Sequence, residues 1–462
     1  MSHRVRVGIT CLSDFILSEG PDAVVANLVD RAGAAAVTLN PTVTEPAPAG
    51  RGSFQPPSDG GSSPRTFDRP LWGRTRLWVR SEPSYVPDEK LYDESAYRPR
   101  QAGDLTRRLG GEVRRFMELA HDRDLEVSFQ IGAAAPPGLR DEDRPRLPGG
   151  GLADHPMAKT ASLASAAVRA YHRAYLTDLL HAYPDLDCVR VDWPEYPCYT
   201  IDETFADFHP AFGAGKALEH EIGELRHWVL TGLSDRVLRD WMAAAGGGAP
   251  YEHLRRRWPA LDEWLLGKRE TAIDYLRFLR SIMDDAGAHA VALAPNAFPP
   301  PFSILTGLPF ADLRDVAPWV AVKLYTMHWL QIVRFWMDDI LAGSPHIDAA
   351  LLAEALLTLF DVGDTLSRPL DAATVRYPEP DEPHPVDDAV QRRKVAQACL
   401  ESTVPVAPIV HGYGPHDDFS RRYRAAVGAA GHDGEIGCTD CGRVWVNRYG
   451  YLSDEKLEVI GA

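Results

Sequence analysis

Cysteine is scarce in this chain. Six residues in 462 (Cys11, Cys188, Cys198, Cys399, Cys438 and Cys441) are too few for a disulfide scaffold, and three fall in or beside stretches that read as buried strands, so a reducing, cytoplasmic setting is the simpler expectation. No apolar run reaches the roughly 18 residues that a membrane helix needs. Met1–Val7 is basic but passes directly into a strand pattern, with no apolar segment followed by a small-residue cleavage site. A soluble protein that does not bind membranes is expected. Positive charge is in deficit: 49 Lys and Arg against 65 Asp and Glu give a net charge of −16. That balance disfavours nonspecific binding to nucleic-acid phosphates and suits a neutral substrate. There is no Gly-rich phosphate loop and no Ser nucleophile elbow. The single CxxC, Cys438-Thr-Asp-Cys441, has no second pair, and a closed zinc site would need His432 or another remote ligand. Neither a metal nor a cofactor is therefore expected. No repeat of 20 to 50 residues is visible.

What remains is ordinary globular material, 45% hydrophobic and 25% charged, long enough for a large core. Val5 to Leu12 reads as a strand. A helix face at Val24, Val25, Leu28 and Val29 follows it, and a second strand runs from Ala35 to Leu39, which together make a βαβ unit. The pattern recurs with strands at Leu125 to Ile131, Cys188 to Asp192, Ala288 to Leu293, Val320 to Tyr325, Pro405 to Val410 and Val444 to Asn447. Eight short, nearly unbroken apolar runs separated by helical patterns fit a (β/α)8 TIM barrel better than an open sheet, because parallel strands covered on both faces lack alternation. Pro46 to Pro70 reads as irregular, and Ser367 to Pro385 as a long loop. The segment from about 200 to 285 reads as a helical insertion capping the barrel mouth. One catalytic domain over 1–462 is expected.

Barrels of this class place their chemistry at the carboxyl ends of the strands, and the residues found there are unusually polar. They are Ser13 with Asp14, Asn40, Gln130, Asp192 with Glu195, Asn296, Lys323 with Tyr325, His411 with Tyr413, and Asn447 with Arg448 and Tyr449. Most distinctive is the fourth strand end, Cys-Val-Arg-Val-Asp-Trp-Pro-Glu-Tyr-Pro from Cys188 to Pro197. Pro194 and Pro197 forbid its continuation as a central strand, which leaves Asp192, Trp193 and Glu195 at the mouth. Two acids among aromatic rings suit carbohydrate, whose cleavage needs one carboxylic acid and one carboxylate. Arg190 shares a strand face with Asp192 and is expected to hold that carboxylate ionised, as nucleophile or base. Glu195, against Trp193 and Tyr196, is expected to be partly desolvated with a raised pKa, as a general acid requires. Arg190, Trp193, Gln130, Asn296, Lys323, Tyr325, His411, Asn447 and Arg448 are read as substrate-binding groups, and Trp72, Trp78, Trp319 and Trp329 as candidate stacking platforms.

The strand end Val189 to Pro197 followed by Phe205, with the C-terminal Val-Asn-Arg-Tyr-Gly-Tyr-Leu from Val446 to Leu452, resembles uncharacterised TIM-barrel proteins grouped as hypothetical glycoside hydrolases. The likeness runs in order along nearly the whole chain. Arg190-x-Asp192 also resembles the fourth strand of the α-amylase clan, and Tyr325 is similar to the tyrosine of family 18 chitinases. Asn296 departs from the first pattern, where a Glu follows the fifth strand, and Asp-x-x-Glu departs from the second, which has Asp-x-Glu. The resemblance implies hydrolysis of a glycosidic bond by paired carboxylates. Two other readings fit the same rim: a noncatalytic carbohydrate-binding barrel, and a metal-dependent lyase or isomerase using His411 with the acids.

Overall fold

The computed structural model describes residues 5–46, 62–63, 67–69, 71, 79–132, 135–243, 249–363, 370–430 and 442–462. Among the described residues there are ten strands: β1 (Arg6–Thr10), β2 (Ala36–Leu39), β3 (Thr42–Pro46), β4 (Val79–Pro83), β5 (Glu126–Gly132), β6 (Cys188–Asp192), β7 (Ala292–Ala297), β8 (Val320–Leu324), β9 (Val406–His411) and β10 (Arg443–Asn447). Eight of them close a parallel barrel in the order β1-β10-β9-β8-β7-β6-β5-β2, with helices between successive strands. The expected (β/α)8 barrel is the fold. Closure leaves no edge strand, so every barrel strand is paired on both sides.

The barrel strands were placed from uninterrupted apolar runs, and their burial explains why that works: β2, β8 and β9 are buried at every position. Two differences stand out. The fifth barrel strand, expected over Ala288 to Leu293, is β7 and starts four residues later. The alanines of that stretch do not separate helix end from strand, and Pro295, which suggests an end, lies inside β7 opposite Val191. The second difference is the antiparallel pair β3–β4, which was not expected and flanks the Pro46 to Pro70 stretch read as irregular, sharing only Pro46 with it.

Inside the barrel the side chains stack in layers. Gly8 on β1 sits opposite Trp445 on β10, and a Cβ there would lie 2.4 Å from the indole, so only glycine admits the ring. Trp445 stacks on Trp319, ring centroids 5.7 Å apart. Trp319 and Trp329, two of the candidate stacking platforms, are buried, at 6% and 0% exposure, and belong to the core; Trp72 and Trp78 lie outside the described residues.

The 200–285 segment is helical as read, with helices at Ile201–Thr204, Lys216–Thr231, Asp235–Ala243, Ala249–Arg257 and Ala260–Asp285. Among the described residues no helix is long and apolar enough to cross a membrane. Cys11, Cys188 and Cys198 are buried free thiols. Cys399 is disulfide-bonded, a departure from the expected set of thiols. Cys438, Cys441 and His432 lie outside the described residues.

Candidate active site

At β6 the strand period puts Arg190 and Asp192 on the inner face, two residues apart and one layer apart in depth. Arg190 is 1% exposed. Its Nη1 donates to Thr38 Oγ1 at 3.0 Å and its Nη2 to Asn296 Oδ1 at 2.7 Å, and its guanidinium lies 3.8 Å from the centroid of the Trp445 ring. Burial lowers its pKa to about 10. The expected Arg190–Asp192 pair is therefore not formed, because the guanidinium is used one layer down.

Lys323, at the end of β8, takes that place. Its Nζ lies 2.9 Å from Asp192 Oδ1 and 3.8 Å from Glu195 Oε1, and sits 4.6 Å from the Trp193 ring and 5.0 Å from the Phe298 ring. Gln130 Nε2 donates to the other Asp192 oxygen at 3.3 Å, while Asn296 Nδ2 donates to Gln130 Oε1 at 3.4 Å. Both Asp192 oxygens are thus aimed from the barrel wall, and the side chain stays 24% exposed.

Glu195 is placed differently. The chain turns at Trp193, whose φ of 59° is a left-handed conformation rare for a bulky residue and costly without support from its surroundings. Beyond that turn Glu195 Oε1 accepts from the Phe298 N–H at 2.9 Å and Oε2 from Thr306 Oγ1 at 2.6 Å. The side chain has no exposure. Burial pushes its pKa up to about 7, against the pull of Lys323 and its two donors. The raised pKa is what was expected; the depth is greater. The two acids do meet, through one ammonium, but only Asp192 reaches the opening.

Around them stand residues of both kinds, expected and missed. Tyr325 is half-buried, hydrogen-bonded to Asn447 and edge-on to His411, centroids 5.3 Å apart. Burial and the Asp192 charge raise its pKa. His411 is 5% exposed, and its Nδ1 accepts from the Tyr413 N–H at 3.0 Å, which fixes the ring. His328 was missed because it lies one turn into the helix Thr326–Gly343 rather than at the strand end. Its Nδ1 shares a hydrogen bond of 2.6 Å with the Tyr199 hydroxyl, and burial lowers its pKa to about 3, so it is a neutral ring at the rim.

A cleft of about 760 Å³ opens beside this group, lined by Asp14, Asn40, Gln130, Arg448 and residues of the β3–β4 hairpin, among them Thr42, Thr44 and Ser81. Its size suits a small-molecule site. No described residue of 200–285 lines it. Those helices and the helices after β7 and β8 instead enclose a second, apolar cavity of about 580 Å³ on the flank. Among the described residues no group of three or more His, Cys, Asp or Glu is arranged to hold a metal ion, so the metal-dependent reading finds no ligand set there.

No family model matches this chain, and no curated protein matches it. Solved structures similar to it include the catalytic domain of beta-amylase from Paenibacillus polymyxa, at 8% identity over 99% of this chain and 95% of that one, TM-score 0.47. Beta-galactosidase from the psychrophilic Marinomonas ef1 aligns at 12% identity over 88% of this chain and 63% of its own, TM-score 0.38. The beta-galactosidase from Rahnella sp. R3 aligns at 10% over 93% and 70%, TM-score 0.35. At such identities and scores the likeness bears on neither mechanism nor substrate.

Proposed function

We propose that this chain is a glycosidase that cleaves a glycosidic bond with carboxyl chemistry at the carboxyl end of the fourth barrel strand, and that Asp192 is the carboxylate that meets the substrate. The observation behind the proposal is the placement of Asp192. It is partly exposed at the barrel mouth, held by Lys323 on one oxygen and Gln130 on the other, with a cleft wide enough for sugar rings alongside. A nucleophile or base in glycoside hydrolysis needs that orientation, fixed before the substrate arrives. Glu195, the other half of the expected pair, contributes from behind by holding Lys323 against Asp192. Tyr325, His328, Asn447 and Arg448 are the groups available to sugar hydroxyls, and His411 supports Tyr325.

Asp192→Asn preserves shape and removes the charge. On a panel of aryl glycosides its turnover is expected to fall by about 10²–10⁴-fold, the usual weight of a positioned acid–base group. Unchanged turnover in the variant would sink the assignment. The withdrawal of Glu195 favours one second reading, a carbohydrate-binding barrel without turnover. Calorimetric glycan binding with no hydrolysis over long incubation would establish it instead.

A further inference from the structure

Glycoside hydrolysis needs a proton donor as well as a nucleophile or base, and the burial of Glu195 leaves that post open. We propose that Asp14, from the wall of the cleft beside Asp192, is the proton donor that works with Asp192; the inference rests on the glycosidase reading. Asp14 follows β1, in the first turn of the short helix Ser13–Glu19, and lines the cleft together with Gln130 and Arg448. Gln130 also donates to Asp192, so one residue of the cleft wall that Asp14 shares touches the other acid. In the closed barrel β1 and β6 are separated by β2 and β5. The two acids are therefore carried by strand ends well apart around the mouth, whereas Asp192 and Glu195 stand three residues apart in sequence.

The setting suits an acid that must keep its proton until the bond breaks. Asp14 is 5% exposed, and among the described residues the side chain that donates to it is Thr44, from the β3–β4 hairpin, to Oδ1. Burial raises its pKa, opposed by the Thr44 hydrogen bond and by the charge of Arg448. In the reaction the Asp14 proton passes to the glycosidic oxygen as the bond to the anomeric carbon breaks. Asp192 either bonds that carbon, until water displaces it and gives its proton to Asp14, or takes the proton of the water that attacks the carbon directly. Water is added overall, and in the second case solvent returns the proton to Asp14.

The test compares two leaving groups on one sugar, chosen as any sugar whose glycosides the wild-type protein cleaves. A 2,4-dinitrophenolate departs without protonation, while methoxide does not. In Asp14→Asn, kcat/KM on the methyl glycoside is expected to fall about 10²–10⁴-fold and on the dinitrophenyl glycoside far less, with the basic limb of its pH profile lost. Equal losses on both substrates, or no loss on either, would overturn the assignment while the wild-type activity still stands. A leaving-group-selective loss in Glu195→Gln would move the role to that residue. If the wild-type protein cleaves no glycoside of the panel, the glycosidase reading itself fails, and this inference with it.

Discussion

Glu195→Gln separates a buried structural acid from a working one, and its effect can be worked from the structure. The amide can satisfy the same neighbours: its oxygen accepts from Phe298 N–H, and its NH₂ faces the Thr306 hydroxyl, which already lies 3.4 Å from the Ser303 carbonyl. The Glu195 pKa rises from an ordinary 4.5 to about 7 on folding because of burial. A pKa raised in the folded state means that the folded protein binds the proton more tightly. Stability from this group is then fully present below about pH 4.5 and is lost as pH rises through about 7. At about 1.36 kcal/mol per unit, wild type is expected to lose about 2–3 kcal/mol between pH 5 and pH 8 that Glu195→Gln does not lose. Urea unfolding of both proteins at the two pH values measures this. Glu203, also raised to about 7 by burial, is common to both and cancels in the difference. Parallel pH dependence in the two proteins would refute the argument, and a variant that weakens relative to wild type as pH rises would mean that Lys323 outweighs burial.

Two other substitutions probe the same frame. Lys323→Met removes the cation between two carboxylates, one fully buried; breaking a buried pair from one side costs about 3–5 kcal/mol. The loss is expected in full at pH 8 and in smaller part at pH 5, where Glu195 is protonated, and an equal loss at both would count against it. At Trp193, whose φ is 59°, Trp193→Gly is expected to be about 1 kcal/mol more stable than Trp193→Ala, since the left-handed region penalises any Cβ. Thermal melting in which alanine matches or exceeds glycine would contradict the strained turn.

The barrel was legible because strands buried on both faces leave a plain trace: Cys188–Asp192 was bounded to the residue, and five other barrel strands to within about a residue at each end. Less legible was anything set by distant chain. The β3–β4 hairpin joins Thr42–Pro46 to Val79–Pro83 across a long intervening stretch, and its strands contain proline and charge, so neither reads as a strand alone. Because that hairpin walls the cleft, the sequence pointed to the 200–285 helices as cover instead. At the site, residue types were readable and partners were not. Period-2 alternation correctly placed Arg190 on the face of Asp192, but it says nothing about which layer finds which partner. Likewise Pro194 and Pro197 marked where the strand must end, yet whether the chain beyond it leads into the opening or behind it depends on the Phe298 N–H and Thr306 waiting there.

Arg190 nonetheless reaches Asp192, through two amides. A guanidinium can only donate, so the Arg190 contact forces Asn296 to present Oδ1 to it and turns Nδ2 toward Gln130. Gln130 must then accept with Oε1, which leaves its NH₂ for Asp192. Reverse any one amide and a donor faces a donor inside the barrel, where an unmet polar group costs about 1–3 kcal/mol. The cation in the lower layer thereby fixes the direction of hydrogen bonding in the upper one, and Lys323 supplies the charge at close range. Such a division leaves the Asp192 side chain partly exposed, because Arg190 does not need to sit beside it.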